Sequence, residues 1–254
     1  MSILKNKEEI EILREGGRRL ARILAKIKSA SKPGISTKDL DDLAFRLADE
    51  GGDKPAFLNY CPEENGRPYP ATLCVSVNEE LVHGLPSPEK ILKDGDIISV
   101  DMGLNHLGLI TDSAITFPIG KIQKETQLLL KATRECLETG IKEAKSGNFV
   151  GDIGFAIEKT AKKYGFDLAK GLAGHGVGHK VHEDPLIPNT GRRGNGMKLK
   201  IGMVLAIEPM LCLGSGEISL EKDGFTISTK DKSLCAHFEH TIAITEKGPE
   251  VLTC

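Results

Sequence analysis

The sequence predicts an α+β protein made of two related halves, residues 1–122 and 123–254, around a shared polar centre. Three observations carry this expectation. Helix-spaced and strand-spaced apolar patterns follow one another in the same order twice. Four short motifs recur in that order. The acidic and histidine residues that align between the copies lie inside apolar or glycine-rich runs.

Along the first half, Ile10, Leu13, Leu20, Ile23, Leu24 and Ile27 fall on one helical face, so an amphipathic helix is expected over residues 7–30, ended by Pro33-Gly34. Ser36 or Thr37 caps a second helix carrying Leu40, Leu43, Ala44 and Leu47, which stops at Gly51-Gly52. Residues 53–70 are rich in turn formers. Strand-like runs follow at 71–77, 96–104 and 109–118. In the second half, helical patterns cover 124–144 and 150–164, and strand patterns cover 203–211, 224–228 and 237–245.

The repeat sets Lys32–Leu40 beside Lys145–Ile153, and Val82-His83-Gly84-Leu85-Pro86 beside Val181-His182-Glu183-Asp184-Pro185. It also sets residues 92–101 beside 199–208, and 111–116 beside 238–243. Asp101 thereby aligns with Glu208, Asp112 with Glu239, and His83 with His182. Polar residues that recur at the centre of two apolar halves mark a shared site.

The totals exclude several classes. The chain has 254 residues, 39% hydrophobic and 28% charged, as in an ordinary globular protein. Lys+Arg number 34 against 36 Asp+Glu, a net charge of −2, so no nucleic-acid binder held by bulk charge is expected. The basic stretch 5–28 is interrupted by Glu8, Glu9, Glu11 and Glu15 and reads as a solvated helix face; docking is the alternative. No run approaches the roughly 18 apolar residues of a membrane helix. The first residues lack the apolar centre of a signal peptide, so a cytoplasmic protein is expected. The six cysteines show no Cys-x-x-Cys spacing and read as reduced thiols.

Asp101 and Asp112 lie in apolar runs joined by Asn105-His106-Leu107-Gly108, which reads as a hairpin turn. A turn centred between His106 and Leu107 sets the two aspartates directly opposite each other. Opposed Cβ atoms are about 4.5–5.5 Å apart, where like charges are unfavourable; a shared proton or a cation must compensate. Glu208 closes the apolar run Met203-Val204-Leu205-Ala206-Ile207, and Glu239 sits among apolar and β-branched residues. An unpaired buried carboxylate costs several kcal/mol or neutralises itself. Four in two repeat-related pairs favour cations that accept oxygen ligands. His175, in Gly174-His175-Gly176-Val177-Gly178-His179, lacks the His-Glu-x-x-His context of a helical zinc site, and the glycines argue against a continuous helix. Beside the four carboxylates it reads as a fifth ligand. Such a set suits Mn, Fe, Co or Zn. Two-metal hydrolytic sites hold their ions about 3.5–4 Å apart.

Three segments are the most specific: Gly174 to Pro185, Gly202 to Met210, and Thr229 to Thr241, with Phe238-Glu239-His240-Thr241 at its end. With them the whole chain resembles the methionine aminopeptidases in their short bacterial type I form. The resemblance implies the pita-bread fold, in which two α/β halves related by a pseudo-two-fold axis share a central antiparallel sheet, and removal of the initiator methionine from nascent proteins and peptides with a small second residue. It implies two divalent ions, with Asp112 and Glu239 between them, His175 and Glu208 completing one site and Asp101 the other. Glu208 would also shuttle the proton of the attacking water. His83 would contact the scissile amide or substrate N-terminus, and His182 would steady the oxyanion. Tyr60, Tyr69, Cys74 and Phe225 would wall the methionine pocket. Phe225 stands where bacterial members often have Trp, Val181 where they often have Phe, and the loop 61–68 looks longer than usual. The implied partners are peptide N-termini, with transient ribosome contact and a monomeric state. His106, His179, His237 and His240 are left to turns, core or places beside the ligands, with His237 and His240 set to orient Glu239.

Two other readings are weighed. A proline-specific relative shares the Asp101 and Asp112 contexts, but its last ligand sits in Arg-x-Glu rather than Phe-Glu239-His-Thr. A metal-free binding module of the same fold would have lost ligands, and all five are present here.

Overall fold

The computed structural model describes residues 4–61 and 66–254. Helix α1 (Lys7–Ala30) begins at Asn6, whose side chain accepts from Glu9 N, and Glu9 answers from its own carboxylate; α2 (Thr37–Glu50) repeats the device with Ser36 and Asp39. The strands in chain order are β1 (Lys54–Pro55), β2 (Cys74–Val77), β3 (Glu80–Val82), β4 (Ile97–His106) and β5 (Leu109–Pro118). Helices α3 (Lys124–Glu143) and α4 (Val150–Tyr164) follow, and α4 ends at Gly165, φ 76°, in the left-handed region that Gly adopts without cost. Next come β6 (Asp167–Leu168), β7 (Ala173–Gly176), β8 (Glu183–Pro188), β9 (Val204–Ile207) and β10 (Met210–Cys212). The last are β11 (Ile218–Leu220), β12 (Ile227–Thr229), β13 (Cys235–His237), β14 (His240–Thr245) and β15 (Gly248–Val251).

Two helix-on-sheet cores result. Leu20, Leu24 and Ile27 of α1 and Leu40 and Ala44 of α2 bury against Val75, Ile98, Val100 and Met102. Leu129 and Leu137 of α3 and Ile153 and Ile157 of α4 bury against Leu205, Ile207, Ile242 and Ile244. The first sheet is β1-β4-β2 with β5 on β4, and the second is β15-β14-β9-β7-β8, all paired antiparallel. They are joined where the Thr241 hydroxyl takes the Asp112 N–H (2.8 Å) and donates to the Asp112 carbonyl (2.7 Å).

Two expectations need correction. The hairpin turns on Leu107 (φ 51°) and Gly108 (φ 89°), two left-handed residues that match the strand twist. The register is therefore shifted from the expected one: Asp101 faces Ala114, and Asp112 faces Gly103. The aspartates are diagonal neighbours on one face rather than directly opposed. The expected strands over 203–211 and 237–245 each break, at Glu208-Pro209 and at Phe238-Glu239. Pro209 has no N–H to continue the ladder, so β10 restarts in a separate sheet beside β13. As expected, the glycine run around His175 is not helical: it is a strand, β7, because Gly174 and Gly176 let neighbouring backbone approach. A Cβ at either would lie 2.3 Å from the Ala206 carbonyl or 2.2 Å from that of Asp184.

Candidate metal centre

The strand breaks create the site. One residue beyond the His240–Ile207 pair, Glu208 and Glu239 leave their ladders at opposed positions. Ala114 accepts the Glu239 N–H (2.9 Å), and the Ser113 hydroxyl donates to the Glu239 carbonyl (2.8 Å), so β5 holds that break against the first sheet. Asp101 and Asp112 reach the same space from β4 and β5, and His175 from β7, where it pairs with Ala206.

Ligand atoms of Asp112, His175 and Glu239 all lie within 4.8 Å of one another. His175 Nε2 is 3.5 Å from Glu208 Oε1. Its Nδ1 is 2.9 Å from the Gly176 carbonyl, so Nδ1 carries the proton and Nε2 presents a lone pair to the cluster. All five side chains are buried. Asp101 Oδ1, Asp112 Oδ1 and Glu239 Oε1 have no hydrogen-bond partner among the described residues. Burial raises every carboxylate of the set. Asp101 rises well above the usual range, with the charges of Asp112 and Glu208 adding to desolvation, and Asp112 is pushed up to about 7. Desolvation takes Glu208 up to about 8, and Glu239 rises well above the usual range. Buried carboxylates that hold protons this tightly have no cation to compensate their charge, and a divalent ion would displace those protons. Orphaned oxygens, a neutral imidazole and a cluster of this size fit divalent metal.

The cluster lies at one side of a cavity of about 430 Å³ lined by Tyr60, Tyr69, Cys74, His83, His182 and Phe225 among others. Every residue expected at the site therefore borders one space. His83 is in the left-handed region (φ 57°), an uncommon conformation that functional sites concentrate. It lines the cavity and is exposed by accessible surface, while the protein packed around its ring, and then His182 and His237, lower its pKa to about 4. His182 stacks edge-on against His175, ring centroids 4.4 Å apart, and its Nδ1 meets the Tyr60 hydroxyl at 2.7 Å. Tyr60 thus wall-lines the cavity and also engages a histidine. Tyr69 meets Phe225 edge to face at 5.5 Å. Of the loop 61–68, residues 62–65 lie outside the described residues. Arg67, just after them, lies 4.6 Å over the Phe225 ring.

Of the remaining histidines, only the two flanking Glu239 differ from expectation. His106 binds Asp53 (2.6 Å), and His179 binds Glu9 (2.7 Å), both away from the cluster. His240 does not orient Glu239; its Nδ1 is taken by Thr253 (2.9 Å). His237 faces Glu208 rather than Glu239, with Nε2 at 3.4 Å from Glu208 Oε2. Sequence reasoning missed this contact because only tertiary folding brings β13 beside the end of β9.

Carboxylates and a histidine gathered between two antiparallel sheets define a metallohydrolase of the pita-bread class. A model described as metallopeptidase family M24 matches residues 11–246. The methionine aminopeptidase of Aquifex aeolicus is 48% identical over 98% of both chains, and methionine aminopeptidase 1 of Bacillus subtilis is 46% identical over 100% of this chain and 99% of its own. The crystal structure of methionine aminopeptidase from Thermotoga maritima superposes with TM-score 0.93 at 42% identity, covering 98% of each chain. The prolidase of Pyrococcus furiosus shares the fold at TM-score 0.80 and 23% identity, with 99% of this chain covering 65% of that one. The chain belongs to the methionine aminopeptidases of metallopeptidase family M24.

Proposed function

We propose that this aminopeptidase removes N-terminal methionine from peptides and nascent proteins with two divalent ions held by Asp101, Asp112, His175, Glu208 and Glu239. The observation that carries the reading is the set of buried, unpartnered carboxylate oxygens beside His175, open to a cavity of peptide-accepting size. In this assignment Asp112 and Glu239 would be shared between the two ions, His175 and Glu208 would hold one of them, and Asp101 would hold the other. The two halves, 1–122 and 123–254, contribute equivalent carboxylates, and His175 comes from the second half alone. Bound divalent ions, of Co, Mn, Fe or Zn, supply polarisation of the scissile carbonyl and acidification of a water.

The chain's own groups do the rest. Glu208 accepts the proton of the attacking water and returns it to the departing amine. His182 donates an N–H to the developing oxyanion, and His83 contacts the scissile amide or the substrate amine. Tyr69, Cys74 and Phe225 bound an apolar recess for the methionine side chain, whose thioether packs well against aromatic edges. The scissile bond is then enclosed, so a small second residue is preferred.

No described helix is long and apolar enough to cross a membrane. We place the enzyme in the cytoplasm, as a monomer meeting nascent N-termini in transient contact with the ribosome.

The test uses metal-stripped protein with added Mn or Co. Methionine is expected from Met-Ala-Ser, far faster than from Met-Leu-Ser, and release should vanish in Glu208→Ala. Alanine release from Ala-Pro-Ala without methionine release from Met-Ala-Ser would overturn the reading in favour of a proline-specific activity.

A further inference from the structure

Glu208 is bracketed by two imidazoles. His175 Nε2 stands 3.5 Å from Oε1, and His237 Nε2 stands 3.4 Å from Oε2. The two rings differ in their other contacts. His175 is anchored through Gly176, whereas His237, at 1% exposure, has neither ring nitrogen hydrogen-bonded among the described residues. An unsatisfied buried polar group costs about 1–3 kcal/mol, so such a ring calls for an explanation.

The backbone of His237 is held firmly. The Thr116 hydroxyl donates to its carbonyl (2.6 Å) and accepts its N–H (2.9 Å), and that hydroxyl is itself 2.8 Å from Ser99 Oγ. On the other side His237 pairs with Met210, two residues beyond Glu208. The ring is therefore aimed at Glu208 by two sheets at once. A closing movement of a few tenths of an ångström brings Nε2 and Oε2 to hydrogen-bond length, about 2.7–3.2 Å, and bonds of this kind tighten as substrate complexes form.

We propose that His237 is a positioning residue for Glu208: its Nε2–H holds Oε2 and keeps Oε1 on the His175 side. The bond needs only the neutral ring, with Nε2 protonated. The inference rests on the proton-shuttling role read for Glu208 above. His237 is cast neither as a metal ligand nor as a group that exchanges protons with substrate.

The experiment compares His237→Leu, His237→Asn and His237→Gln in the metal-loaded enzyme. Gln keeps an N–H near the place of Nε2; Leu has none, and Asn is too short. With Met-Ala-Ser, kcat in the Leu and Asn variants should fall about 10- to 100-fold with KM within twofold, and Gln should recover most of the loss. The visible spectrum of the Co(II)-loaded enzyme should change in the Leu and Asn variants and return in the Gln variant, while bound metal per chain stays at the parent value. Unchanged kcat in His237→Leu while Glu208→Gln is inactive would overturn the proposal and leave the role of Glu208 standing. A Gln variant as impaired as Leu would overturn it too. Loss of a metal equivalent from the Leu variant would make His237 a ligand and also overturn it. An active Glu208→Gln would remove the role of Glu208 and this proposal together.

Discussion

The Tyr60 hydroxyl meets His182 Nδ1 at 2.7 Å. Burial raises the Tyr60 pKa, so the phenol keeps its proton and is the donor. Nδ1 must then accept, which leaves the proton of the neutral imidazole on Nε2. A side chain expected only to wall the pocket therefore sets the tautomer that lets His182 act as a donor.

Tyr60→Phe removes that constraint while keeping the ring. A bond of this kind contributes about 0.5–1.5 kcal/mol, or roughly 2- to 12-fold in rate. We expect kcat for Met-Ala-Ser to fall by that factor. Unchanged steady-state rates in the Phe variant would show that His182 keeps its tautomer by other means.

Metal-stripped protein should lose stability as pH rises from 6.5 to 8.5. Asp112 and Glu208, at about 7 and about 8 in the folded chain, bind protons more tightly than in the unfolded chain, where carboxylates titrate near 4. A raised pKa stabilises the fold below the unfolded value, and that stability drains away as pH climbs through the folded value. The histidines at about 3 oppose this most strongly below pH 6.5, where the unfolded imidazole is mostly charged, and their opposition fades by about pH 7.5. Added Mn should flatten the dependence, because ligands bind metal deprotonated. Melting curves at four pH values, with and without metal, measure both effects; a Tm of the stripped protein that rises over this range would contradict the assignment.

Lys5 lies with its side chain wholly buried against Glu183, which also accepts the N–H groups of His179 (2.6 Å) and Lys180 (3.0 Å). Lys5→Met leaves Glu183 without its cation. Breaking a buried pair from one side costs about 3–5 kcal/mol, so a marked fall in denaturant midpoint is expected. The double variant Lys5→Met/Glu183→Gln should regain part of it. A single variant as stable as the parent would mean that water replaces the ammonium without cost.

Phe225 joins Tyr69 and Arg67 at the cavity wall. Phe225→Ala deletes apolar contact with the proposed methionine recess and should lower kcat/KM on Met-Ala-Ser about tenfold or more. The loss should be smaller on peptides with a larger apolar first residue. Equal losses on both would place the methionine side chain elsewhere.

Helix limits were legible because they depend on neighbours in sequence: α1 and α4 occupy the expected residues, and Ser36 caps α2 as its spacing with Asp39 allows. The four buried carboxylates were legible because a carboxylate within an apolar run needs a partner wherever the run folds. The hairpin register was not. It depended on Leu107 accepting a left-handed conformation, which side-chain type alone disfavours. Nor was the strand around His175, since its glycines serve close approaches to Ala206 and Asp184 that exist only after the sheet has formed. By itself the sequence determined the α+β class, the helices and the chemistry gathered at the centre, all consequences of local propensity and burial cost. Tertiary structure alone decided which oxygen each imidazole faces, that Tyr60 orients His182 and that His237 turns to Glu208, because those contacts join strands far apart in the chain.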